Sequence, residues 1–171
     1  MHPLLRKLDG GDRRSIGKSN HVVAQALRDP RLLPNLIRGL VVENPLIRMR
    51  AADAIEKITV IHPEWLGRYK SMVLRVAAHV SQAEVRWHMA QLLPRLLLNA
   101  AQRRRAIGIL EDYLRDQSSI VKTFAMQALA DIAVRTPSAI PRMRERLRKL
   151  AETGTPAMRA RGRKLLKQLN R

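Results

Sequence analysis

Residues 135–171 hold twelve Arg and Lys, opposed only by Glu145 and Glu152, a local net charge of +10. Ten of these cations form the candidate ligand-binding group: Arg142, Arg144, Arg146, Arg148, Lys149, Arg159, Arg161, Arg163, Lys164 and Lys167. Their chemistry is recognition of negative charge. A guanidinium forks onto phosphate or carboxylate with two parallel hydrogen bonds, which a Lys ammonium does not do. Like charges four residues apart weaken a helix by about 0.2–0.5 kcal/mol per pair, so a run of one sign has a cost that polarity alone does not demand. The whole chain shares the bias, with 33 Lys and Arg against 14 Asp and Glu and a net charge of +19 over 171 residues. A small domain needs a net charge of only about 2–8 for colloidal stability. The expected partner is therefore nucleic acid or an acidic protein. Aromatic residues make up 3% of the chain, which argues against reading unstacked bases and for contact with a backbone.

Other residues with chemical potential do not assemble. Gly17, Lys18 and Ser19 match the end of a phosphate-binding loop, but the glycine required five residues before Gly17 is Asp12, and no preceding strand is readable. Segment 10–19 is left as either a local binding loop or a capped helix entry. His2, His21, His62, His79 and His88 include no i, i+4 metal pair and no HExxH. There is no cysteine, so disulfides, thiolate metal sites and a cysteine nucleophile are excluded. No GxSxG occurs. No cofactor, metal or catalytic residue is expected. The N-terminus lacks the long apolar core of a signal peptide, and no apolar run reaches 18 residues, so a cytoplasmic protein without membrane insertion is expected.

The elements that position the cations are legible as a repeat. Ile47, Val85, Val121 and Met158 each open a segment in which apolar or small residues follow at four, seven, eight and eleven positions. That is one face of an α-helix, repeated at spacings of 38, 36 and 37 residues. Before each lies a second amphipathic run, near 31–42, 67–80, 102–115 and 138–151. The turns between carry Asn44–Pro45, Ser81–Gln82, Gln117 to Ser119 and Thr153 to Pro156. Short connections imply antiparallel neighbours. Four hairpins are expected, at about 31–62, 63–99, 100–136 and 137–171. Residues 1–30, with helices near 3–8 and 19–28, are expected to form an N-terminal helical cap.

An apolar residue followed by Arg or Lys, then small and aliphatic residues at helical spacing, resembles the HEAT-repeat family. Ile47–Arg48, Val85–Arg86, Val121–Lys122 and Met158–Arg159 carry the likeness, over about residues 31–171. The family's turn Asp, six residues before the basic position, is present only as Asp116. The resemblance implies an all-α, right-handed α-solenoid of about four helical hairpins, with the basic column Arg48, Arg86, Lys122 mainly structural. It also implies that the second helix of each hairpin lines a concave groove. Four columns would face it: Met49, Trp87, Thr123, Ala160; Ala52, Ala90, Met126, Arg163; Asp53, Gln91, Gln127, Lys164; and Glu56, Pro94, Ala130, Lys167. The expected function is a non-enzymatic, basic binding module that contacts a polyanion through the last repeat and the concave face. A protein-interaction scaffold using Met49, Asp53, Trp87, Gln91, Met126 and Gln127 is the alternative. A DNA glycosylase built on Trp87, Asp53 and Arg48 or Arg86, implied by one branch of the family, is the remote one.

Overall fold

The computed structural model describes residues 1–12 and 15–170. The chain is 79% helical with no strand among the described residues, which fixes the class as all-α. The described residues form ten α-helices: α1 (Pro3–Arg6), α2 (Ser19–Arg28), α3 (Leu33–Gly39), α4 (Pro45–Ile61), α5 (Lys70–His79), α6 (Ala83–Leu92), α7 (Ala100–Tyr113), α8 (Ser119–Val134), α9 (Ile140–Thr153) and α10 (Pro156–Leu169). Two compact units divide them, Met1–Leu97 and Leu98–Arg171. Residues 1–30, the expected cap, lie in the first unit with α3 to α6.

The repeated segments are α4, α6, α8 and α10, each starting where its turn residues allow. Pro45 and Pro156 occupy the first helical turn, where a missing N–H costs nothing. Asn44 Oδ1 accepts from the N–H groups of Leu46 and Ile47 at 2.9 and 3.3 Å. Ser118 Oγ and Thr155 Oγ1 accept from Val121 N and Met158 N at 3.4 and 3.3 Å. Such caps contribute about 1 kcal/mol each. Gln82 does not cap α6; its amide instead donates to Pro45 O at 2.9 Å and accepts from Arg48 Nε at 3.1 Å. α6 ends at Leu92 and continues as a 3-10 turn, Leu93–Arg95, because Pro94 cannot donate the next helical hydrogen bond. The apolar stripe in the sequence runs on to Leu96, past this break.

In the first unit α4 is central and packs against α2, α3 and α6. Ile47, Ala51, Ala54, Ile55 and Ile58 are buried there, as are Val85, Met89, Leu92 and Leu93 from α6 and its following turn. In the second unit α8 packs against α7, α9 and α10, and α10 against α9. Val121, Ala125, Leu129 and Ile132 are buried there, as are Leu147, Met158, Leu165 and Leu169. Each fully buried Leu or Ile stabilises its unit by about 1.5–3 kcal/mol. Gly162 sets the closeness of α9 and α10, since a Cβ there would stand 2.9 Å from Ala151 Cβ.

Candidate polyanion-binding face

Two sides of the repeated helix explain where each charged residue ends up. Counted from Ile47, Val85, Val121 and Met158, residues one, five and nine further on share one side of the helix. Residues three, six and ten further on share the other. On α4 the first side meets the following hairpin. Arg48 reaches Gln82, Ala52 is buried, and Glu56 Oε1 accepts from Arg95 Nη2 at 2.5 Å. The second side of α4 meets the residues that precede it. Ser19 Oγ donates to Asp53 Oδ2 at 2.5 Å, and Lys57 Nζ binds Asp53 and Asn20 at 2.8 and 2.9 Å. The second unit repeats the pattern. Met126 and Ala130, on the first side of α8, are buried, and Arg161, on the second side of α10, reaches back to Gln127 Oε1 at 2.8 Å.

On α10 the first side carries Arg159, Arg163 and Lys167, all exposed. Lys164 is exposed beside them, and Arg142, Arg148 and Lys149 are exposed on α9. None of these seven makes an ion pair among the described residues. The other three expected binding residues are occupied within the unit. Arg144 donates through Nε and Nη2 to the carbonyl of Leu169, closing the C-terminal end of α10. Arg146 Nη2 lies 2.5 Å from Glu111 Oε2 on α7, and Arg161 is held by Gln127. Each of the three sits on the side of its helix that faces a neighbour. Arg171, the last cation of the run, lies outside the described residues.

The expected groove is reduced. Met126 and Met49 are buried, at 0% and 8% exposure, and do not line a surface. Ala52 and Ala90 are fully buried too. A helix with three packed neighbours covers an arc wider than its apolar stripe, and the helical wheel had treated that extra arc as groove. Trp87 and Gln91 remain half-buried in the first unit, with Gln91 Nε2 donating to Trp87 O at 3.3 Å. Gln127 remains half-buried in the second unit, between Asp131 and Arg161. Asp53 is bound by Ser19 and Lys57, contacts that hold α4 to the start of α2.

His88, beside Trp87 on α6, is buried with no hydrogen-bond partner at Nδ1. Burial pushes its pKa below the ordinary histidine value, and Lys57 acts the same way, while Asp53 and Glu56 oppose them. A neutral ring is therefore favoured in the fold. The unfolded chain takes up this proton first as pH falls, so stability present above the ordinary histidine pKa is lost below it. His88→Leu should flatten that acid limb below about pH 6.5, measured by urea unfolding at each pH.

Arg48 and Arg86 serve the turns. Arg48 Nη1 donates to the carbonyls of Val42 and Glu43 at 2.9 and 2.8 Å, and Arg86 Nε to that of Val80 at 2.7 Å. Both arginines reach six residues back, the position at which the family pattern has an Asp. Arg50, on the second side of α4, was not identified from the sequence. Its guanidinium is buried at 1% exposure and donates to the carbonyls of Leu8, Gly10, Asp12 and Ser15 at 2.7–3.2 Å. Leu8, Gly10, Asp12 and Ser15 thus gather around an internal cation, and Arg13 and Arg14 lie outside the described residues. The legible signal was an Arg at the position that holds His88 and Phe124 in the next two helices.

Among the described residues no cluster of His, Asp and Glu is placed to hold a metal ion, and no helix is long and apolar enough to cross a membrane. No protein-family model matches this chain, and no curated protein matches it. Among solved structures it is similar to the crystal structure of an engineered protein determined by a structural genomics consortium. The two are 18% identical with a TM-score of 0.64, over 98% of this chain and 78% of the other, a likeness of fold.

Proposed function

We propose that this protein is a non-enzymatic binding module of HEAT-like helical hairpins that holds nucleic acid or another polyanion on its C-terminal cationic face. One observation carries the reading. Seven cations of α9 and α10 are exposed and without an ion pair among the described residues, while Arg144, Arg146 and Arg161 nearby are spent on packing. Seven exposed cations opposed on the same two helices only by Glu145 and Glu152 make an electrostatic footprint. The HEAT assignment and a solenoid arrangement are supported by the 36–38-residue recurrence, by the Arg48 and Arg86 turn contacts and by the way α4 hands its first side to α6.

The test is charge reversal on exposed positions that do not pack. The variant Arg142→Glu, Arg148→Glu, Arg159→Glu, Arg163→Glu should lose binding to DNA and to heparin while its thermal unfolding stays within a few degrees of wild type. Wild-type affinity in that variant would end the proposal. Wild-type protein purified at low salt is expected to carry nucleic acid, seen as excess absorbance at about 260 nm that high salt removes.

A further inference from the structure

We infer that the ligand of this face is the sugar-phosphate backbone of duplex nucleic acid, and that the stripe Arg159, Arg163, Lys167 on α10 is its principal contact; this rests on the polyanion reading above. The stripe is singled out by what its counterparts do. On α4 the same three positions are Arg48, Ala52 and Glu56; Arg48 is bound to Gln82 in the turn before α6, Ala52 is buried, and Glu56 is bound to Arg95 in the turn after α6. On α8 they are Lys122, Met126 and Ala130, with Met126 and Ala130 fully buried. These positions are the stacking side of the hairpin. On α10 the two that should be small or apolar are Arg163 and Lys167, both exposed. A hairpin stacked on them would strip water from two cations that nothing on α10 neutralises, because α10 has no acidic residue. The side is therefore unsuited to another packed helix and suited to a ligand that brings its own charge and stays hydrated.

Spacing and composition narrow that ligand. Residues four apart rise by about 6 Å, so the three cations run in line over about 12 Å of a rigid helix. Lys164 flanks them, and no acidic side chain interrupts the line. No Phe, Trp, Tyr or His occurs anywhere in α9 or α10, so the face offers unstacked bases no platform. Without stacking, binding draws on counter-ion release alone. That release is larger on a duplex, about 0.9 per phosphate contact against about 0.7 on a single strand.

The experiment compares two full-length variants with equal loss of charge by fluorescence anisotropy. One is Arg159→Gln, Arg163→Gln, Lys167→Gln. The other is Arg142→Gln, Lys149→Gln, Lys164→Gln. The probes are a 20-base-pair DNA duplex, a single strand of the same length and phosphatidylserine vesicles. The stripe variant should lose about 100-fold or more in duplex affinity at 0.1 M salt, and its salt slope should shrink by about 2.7. The second variant should lose several-fold less. Equal losses in the two variants would overturn the stripe while leaving the polyanion reading intact. A single strand or vesicles bound as tightly as the duplex would overturn the choice of ligand. No loss in either variant would remove this inference and the reading beneath it together. Circular dichroism melts of both variants confirm that folded proteins are compared.

Discussion

Arg50→Ala should cost this protein about 3–5 kcal/mol, as much as truncating a fully buried Leu or Ile of the first unit. Among the described residues the guanidinium has no carboxylate partner; its charge is met by the four main-chain carbonyls of Leu8, Gly10, Asp12 and Ser15. Hydrogen bonds to a charged group contribute about 1.5–3 kcal/mol each when desolvated, and entering water recovers part of that sum at the loop's outer edge. A buried ion pair is often replaced without loss by two apolar residues, but that route is closed here, because the acceptors are backbone and no mutation removes them. Arg50→Met should therefore be nearly as harmful as alanine. Arg50→Lys should cost about 2 kcal/mol, because an ammonium keeps the charge but cannot reach four divergent carbonyls with three donors. Gly17 belongs to the same device. Its φ is +52°, and a Cβ there would stand 2.7 Å from Arg50 Cζ, so Gly17→Ala should also destabilise. Urea unfolding gives the free energies, and amide exchange at Gly11, Gly17 and Ser19 should accelerate first. A loss under about 1 kcal/mol for Arg50→Ala would show that Leu4, Leu5 and Leu8 hold the N-terminal segment unaided.

The helical hairpins were legible because their signal is redundant. Four copies of the apolar stripe, three of them opened by a cap, place α4, α6, α8 and α10 within a residue of their observed starts. Side chains that bridge elements were harder to read. A helical wheel reports direction around one axis and knows nothing of how many neighbours surround it. Met126 therefore read as groove and lies in the core, and Arg144, Arg146 and Arg161 read as free and are engaged. Arg50 escaped for the opposite reason. Its acceptors are carbonyls, which have no identity in the sequence, so no pairing of residue types points to them. The exposed cations were legible because few acids stand among them: residues 135–171 set twelve cations against Glu145 and Glu152, and α10 has five cations and no acid.

The two classes of arginine should separate cleanly in a salt titration, and this is the largest effect expected in binding. If all seven exposed cations engage phosphates, the logarithm of duplex affinity should fall against log salt with a slope near −6, so that raising salt from 0.05 to 0.2 M weakens binding by about 10³–10⁴-fold. Counter-ion release counts only charges that neutralise phosphate in the complex. Arg144, already closing α10 at Leu169 O, Arg146, paired with Glu111, and Arg161, held by Gln127, should contribute little to it. Replacing each of these three with Gln should leave the slope within about one unit of wild type while lowering stability by about 1 kcal/mol or less per site, since each contact is partly open to solvent. Removing Arg159 or Arg163 should do the reverse, lowering the slope by about 0.9 each without moving the melting temperature. A slope shallower than about −2 for the wild-type protein would mean that most of the cationic face stays in water, and that the chain is basic for a reason other than phosphate contact.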